Sequence, residues 1–193
     1  RGGDIEVFTP AEMVEILNHT GDGLIPFIAL GAFAGIRHAE IQRLDWKDVR
    51  FEDSIIEVQA AKAKTASRRT IPLLKNLRRW LLPHRQKSGP VCAYQNVAFE
   101  MHMIAKRANQ ARRATWAKAK RVTDEDLEAN EQRARAAKKE KVNGRQKGEV
   151  PPGAETAEIE GWTPFAWKHN ALRHSFISYR VAETQNVAQV SLE

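Results

Sequence analysis

Thirteen consecutive residues without a polar side chain, Leu24 to Ile36, constrain this chain more than any other stretch. A bilayer crossing needs about 20 such residues, so the run must be covered by protein rather than by lipid. It reads as a buried helix from about Leu24 to Ala34. Pro26 is tolerated in the first turn, where no amide hydrogen is required. Asp22 is placed to cap the start, and Gly35 suits the left-handed residue that closes such a helix. A helix that is apolar all round needs packing partners on every side. A chain of 193 residues can supply them within one domain.

The flanking segments provide those partners. Thr9-Pro10-Ala11-Glu12 carries a helix start: a threonine N-cap, proline at the first position and a glutamate that returns the capping bond. That helix is predicted to reach about His19 and to end at Gly21. A third helix spans about His38 to Leu44, with Ile41 and Leu44 turned inward. The period then changes from helical to alternating. Trp46–Val49, Ser54–Val58 and Arg69–Leu73 read as three short strands, with a turn at Phe51-Glu52-Asp53 and a loop at Lys62–Arg68. Helices return at about Lys75–Arg85, Asn96–Arg113, Asn170–Ala182 and from Val187 to the end. In the second of these Val97, Met101, Ile104 and Ala108 share a face. The expected class is mainly α with one small three-stranded antiparallel sheet, an α+β fold.

Charge is unevenly distributed. The net charge is +7, yet residues 106–147 hold 14 Lys/Arg against 6 Asp/Glu, leaving the remainder at −1. This segment suits a polyanion, although a solvated charged helix has the same composition. Residues 114–160 read as a basic helical insertion running into a mobile linker at Asn143-Gly144, Gly148 and Pro151-Pro152-Gly153. Trp116 and Leu127 could anchor it on protein instead of DNA. Residues 1–113 and 161–193 then form one domain. The single cysteine, Cys92, cannot make an internal disulfide, and no Cys/His group has zinc-ligand spacing. A reducing, cytoplasmic setting is expected, with neither a metal nor a membrane partner, and Arg1 does not open a signal peptide.

Two motifs carry the chemistry: Gly35-Ile36-Arg37-His38-Ala39-Glu40-Ile41 and Asn170-Ala171-Leu172-Arg173-His174-Ser175-Phe176. Each sets one arginine on an otherwise apolar helical pattern, and a hairpin with Lys62, Lys64, Arg68 and Arg69 lies between them. Taken singly, these features are ordinary. Arg37 and Glu40 at i, i+3 could be a surface pair worth about 0–1 kcal/mol, and charged hairpin tips commonly blunt sheet edges. Together, two arginines and a lysine suit a phosphodiester. Guanidinium grips two phosphate oxygens at once, and lysine offers a compact charge able to release a proton.

This order and spacing resemble the catalytic domain of the tyrosine recombinases, the phage-integrase family, over residues 7–113 and 161–193. The longer pattern Gly-Ile-Arg-x-x-Glu-Ile-x-x-Leu-x-Trp-x-Asp-Val is the specific part. The resemblance implies Arg37 and Arg173 as catalytic arginines, supported by Glu40. It implies Lys64, followed by Thr65, as the lysine that protonates the leaving 5′ oxygen, with Lys62 as the alternative. Lys62, Arg68 and Arg69 are implied DNA contacts. The family's usual histidine falls on Asn170, with His169 one residue earlier. Tyr94 and Tyr179 fit no nucleophile position. The resemblance instead places a Gly-His or Gly-Trp element and the tyrosine beyond Glu193, and a core-binding domain before Arg1. It implies site-specific recombination of double-stranded DNA in a multi-subunit synapse through a 3′-phosphotyrosyl bond, without cofactor, the present stretch being inactive alone. A type IB topoisomerase and a non-catalytic DNA-binding module are the alternatives.

Overall fold

The computed structural model describes residues 5–59, 69–120, 163–187 and 190. Its elements run α1 (Pro10–Asn18), α2 (Ile25–Ala34), α3 (His38–Ile41), β1 (Val49–Arg50), β2 (Ile55–Val58), β3 (Arg69–Pro72), α4 (Lys75–Leu81), α5 (Val97–Lys120) and α6 (Ala171–Thr184). The protein is mainly helical with one three-stranded antiparallel sheet in the order β1-β2-β3. The residues group into two compact units, one of 1–105 with 167–193 and the other of 106–166.

In the larger unit α2 is the central helix. Phe27, Ile28, Ala29 and Leu30 are all buried, and α2 packs against α4 and α6. Gly31 allows the close approach of α6, because a Cβ there would lie 3.2 Å from Leu172 Cβ. Gly35 ends α2 at φ +62, as its left-handed role requires. A Cβ on Gly35 would also meet Phe176 at 2.5 Å. One residue therefore ends a helix and admits an aromatic ring from another 141 positions away. The sheet turns Ile56, Val58 and Ile71 inward, with Val58 opposite Arg69 at its end.

Several local expectations need revising. Asp22 does not cap α2. It opens a 3-10 turn, Asp22–Leu24, and α2 begins without a side-chain cap; Pro26 near its start has already removed one donor from the first turn. Trp46–Asp48 is a 3-10 turn rather than a strand. The Asp45 carboxylate accepts from Lys47 N at 3.0 Å and Gly89 N at 3.1 Å, which holds the backbone curled. The helix starting at Lys75 tightens into a 3-10 turn at Leu82–His84, where Pro83 lacks a donor. Helix α3 stops at Ile41, although Ile41 and Leu44 are both buried as expected. The helix expected from Val187 lies largely outside the described residues.

The first helix start is as the sequence dictates. Thr9 Oγ1 accepts from Glu12 N, and Glu12 Oε2 accepts from Thr9 N. Glu12 also holds Lys168, whose Nζ donates to both carboxylate oxygens at 2.8 Å and to Val7 O at 2.9 Å. The buried Ser175 Oγ accepts from Phe8 N at 2.8 Å, and Tyr179 donates its hydroxyl to Phe8 O. The N-terminal segment is thus laced to α6 and to the residues just before it.

The smaller unit shows a comparable lacing. Asn109 on α5 donates to Phe165 O at 3.0 Å and accepts from Phe165 N at 2.7 Å. Arg112 Nη1 donates to Thr163 O, and its guanidinium lies 5.4 Å from the Phe165 ring centre. Helix α5 itself runs unbroken through residues 113 and 114 to Lys120, where the sequence had led us to expect a helix end. The Ala/Lys/Arg composition beyond Arg113 has high intrinsic helix propensity and nothing to interrupt it.

Candidate active site

Arg37 follows the Gly35 turn and occupies the N-cap position of α3, in extended backbone conformation. Its place follows from the chain reversal at Gly35, which directs the residue after Ile36 away from the core. The Arg37 side chain is 61% exposed. Glu40, one turn on, accepts from Arg37 N at 3.0 Å and from Arg37 Nη1 at 3.2 Å.

Arg173 comes from the first turn of α6 and lines the same groove as Arg37. Its Nη1 donates to Gly35 O at 2.8 Å, two residues before Arg37. Burial pushes its pKa down, and the charges of Arg37 and Arg69 add to that effect. An arginine nevertheless stays protonated in a protein, so the lowered value records mainly its burial, with like charges close by.

Arg69, the first residue of β3, completes the group. It forks onto Glu40, with Nη1 2.9 Å from Oε1 and Nη2 2.8 Å from Oε2. That bidentate bond is the main reason the Glu40 carboxyl is held down at about 2, and burial opposes it. Two guanidiniums thus bond a single carboxylate, and Arg173 lies close enough to feel the charge of all three groups.

Arg37 and Arg173 both line a groove of about 710 Å³ with His38, His169, Asn170 and His174 on its wall. Asn170 stands at the N-cap position of α6 but makes no side-chain capping bond. Its backbone is left-handed at φ 54, a conformation asparagine tolerates better than most residues. His169 and Asn170 therefore both line the groove. His38 packs edge-on against Phe27 at 4.9 Å, and burial lowers its pKa.

Lys62, Lys64 and Arg68 lie outside the described residues. Tyr179 has a structural engagement, its hydroxyl bonded to Phe8 O, and burial raises its pKa. Tyr94 packs its ring over Gly23, where a Cβ would lie 3.2 Å away. The sequence reading missed the Arg69–Glu40 fork. The available signal was the position of Arg69 at the start of a strand two strands from the Trp46 motif, which does not specify its partner.

Chemically this is a cationic groove: paired arginines presented by a helix N-cap and by a second helix, beside the apolar side chains Phe27, Ile36 and Leu172. The sequence model of the phage integrase family matches residues 7–145. The chain belongs to that family, whose members carry out site-specific DNA recombination and bind DNA. The match takes in the Arg37 motif and the hairpin, while Arg173 lies beyond it. No curated protein and no solved structure matches the chain. Among the described residues no helix is long and apolar enough to cross a membrane.

Proposed function

We propose that this chain contributes the phosphate-binding part of a tyrosine recombinase cleavage centre, in a domain formed by residues 1–113 and 161–193. The observation that carries this reading is the meeting of Arg37 and Arg173 on one groove, from segments 136 residues apart, with Arg173 bonded to Gly35 O. In the reaction a tyrosine hydroxyl releases its proton to the surrounding water as its oxygen attacks the scissile phosphorus, a 3′-phosphotyrosyl bond forms and the bond from phosphorus to the 5′ oxygen breaks. Arg37 and Arg173 stabilise the charge on the non-bridging oxygens, and Lys64 gives its proton to the leaving oxygen. Rejoining reverses these steps, so the phosphodiester energy is conserved in the covalent bond. Asn170 donates a hydrogen bond to the phosphate where the family has histidine, with His169 beside it. Arg68 and Lys62 contact the DNA backbone, and residues 114–160 add basic surface for DNA or for a neighbouring subunit in the synapse.

The nucleophile is neither Tyr94 nor Tyr179, since one packs on Gly23 and the other is bonded to Phe8 O. A suicide DNA substrate is the test. The complete gene product should trap a covalent adduct, abolished by Arg37→Ala or Arg173→Ala, whereas residues 1–193 alone should trap none. An adduct on Tyr94 or Tyr179 would overturn the assignment. Relaxation of supercoiled DNA without strand exchange would favour a topoisomerase. The asparagine at the histidine position favours a second reading, a DNA-binding module without cleavage, and absence of any adduct from the complete gene product would support it.

A further inference from the structure

Glu40 serves two arginines, and it serves them unequally. Arg69 takes both carboxylate oxygens at 2.9 and 2.8 Å, while the Arg37 guanidinium has one longer contact at 3.2 Å. A fork of two parallel bonds is the geometry a carboxylate and a guanidinium prefer. Arg37 and Glu40 stand at i, i+3, so they are within reach of each other whatever surrounds them. Were Arg69 absent, Arg37 would be the adjacent guanidinium free to take that fork. Its donors would then point to Glu40 instead of to the groove.

We propose that Arg69 is a positioning residue, not a DNA contact: it occupies the Glu40 carboxylate and thereby leaves Arg37 available to a phosphodiester. This rests on the reading of Arg37 as a phosphate ligand. The charge balance points the same way. Arg69 and Glu40 cancel, so Arg37 and Arg173 carry the two net positive charges of the group. The exposures agree as well, since the Arg69 side chain is 31% exposed against 61% for Arg37. The fork also joins α3 to the end of the sheet, across 29 residues of chain. It anchors the strand that follows the lysine-bearing segment directly to the Arg37 motif.

The test is the salt dependence of binding to a short DNA duplex, measured for single and double variants of the full chain. Each lysine or arginine contact to phosphate adds about 0.9 to the slope of log affinity against log salt. Arg37→Ala should lower the slope by about one such contact and weaken binding about tenfold. Arg69→Ala should do the same, because it costs Arg37 its freedom. Adding Arg69→Ala to Arg37→Ala should then cause no further loss. Adding Glu40→Gln to Arg69→Ala should restore slope and affinity to within about twofold of the parent. A glutamine still accepts from Arg37 N but no longer offers a charged fork.

A direct phosphate contact by Arg69 predicts a second loss of about 0.9 in the double arginine variant and no rescue by Glu40→Gln. Either result would overturn the proposal. Arg69→Lys guards against misfolding. A single ammonium cannot fork both oxygens, so a partial loss rescued by Glu40→Gln is expected, and a lysine as good as arginine would also count against the proposal. If Arg37→Ala itself leaves binding unchanged, the phosphate reading fails first and the role of Arg69 falls with it. Additive loss with a normal Arg37→Ala effect removes only the role of Arg69.

Discussion

Two of the ionic groups in the larger unit each centre on one glutamate, and they are composed in opposite ways. In the first, one lysine meets one glutamate. Lys168 places its three donors on Glu12 Oε1, Glu12 Oε2 and Val7 O, which satisfies every hydrogen an ammonium has. Both side chains are about four-fifths buried. In the second, Arg37 and Arg69 both bond Glu40 with the charge of Arg173 nearby, and the most exposed of the three, Arg37, makes one side-chain bond of 3.2 Å among the described residues. A balanced and saturated pair has nothing left to offer and serves to hold the N-terminal segment against α6. An unbalanced group retains positive charge and unused donors beside a groove. The difference separates a buried pair that maintains structure from a cluster whose outermost arginine stays exposed.

The sharpest way to break this contrast is Arg173→Ala. If the cluster serves a ligand, the loss should fall on DNA cleavage by the complete gene product, by two to three decades, or about 3–4 kcal/mol of transition-state stabilisation. Stability should change by only about 1.5–3 kcal/mol, the value of one bond from a charged donor to Gly35 O. A fall in melting temperature matching the loss of activity would place Arg173 with Lys168 as a structural cation.

Lys168→Met tests the other side. It leaves the Glu12 carboxylate without its partner and should cost about 2–3 kcal/mol in urea unfolding. DNA affinity of the folded fraction should be unchanged. A smaller expected effect comes from Tyr179→Phe, which removes the hydroxyl bond to Phe8 O and should cost about 1 kcal/mol. Covalent adduct formation by the complete gene product should survive it, which a nucleophile would not permit.

The last prediction concerns acid. Glu40 sits at about 2, below its ordinary 4.5, because Arg69 and Arg37 hold its charged form. A depressed carboxyl contributes stability that is fully present above about pH 4.5 and is lost as pH falls through about 2. Glu40→Gln should therefore flatten this part of the acid limb in unfolding measured from pH 5 to pH 2. An unchanged limb would mean that Glu40 is only loosely held and that the cluster is less organised than its distances indicate.

Legibility followed the range of the interactions. The Thr9 capping box, the left-handed Gly35, the inward Ile41 and Leu44 and the strands Ile55–Val58 and Arg69–Pro72 all depend on neighbours within a few residues, and the sequence reading located them. It misplaced Trp46–Asp48 because an alternating pattern concealed a turn held by Asp45, whose second partner, Gly89, is 44 residues away. It ended α5 at about Arg113 because falling hydrophobicity was taken for the start of a separate helical insertion, whereas one helix continues to Lys120. The two arginine motifs were each legible, as were the neighbouring Glu40 and the groove-lining candidates Asn170 and His169.

What the chain determines by itself is the set of local conformations and the residue types able to bind a phosphodiester. Apolar periodicity, capping residues and a single permissive glycine specify those whatever lies elsewhere in the molecule. Only the tertiary structure decides which charges remain available. Arg69 reaches Glu40 because β3 begins beside α3, and Arg173 reaches Gly35 because Gly31 and Gly35 let α6 approach the backbone of α2. Lys168 is used up by Glu12 for a similar reason, since the N-terminal segment docks across the start of α6. Charge pairing depends on distance in space, and folding alone brings together residues 29, 138 and 156 positions apart.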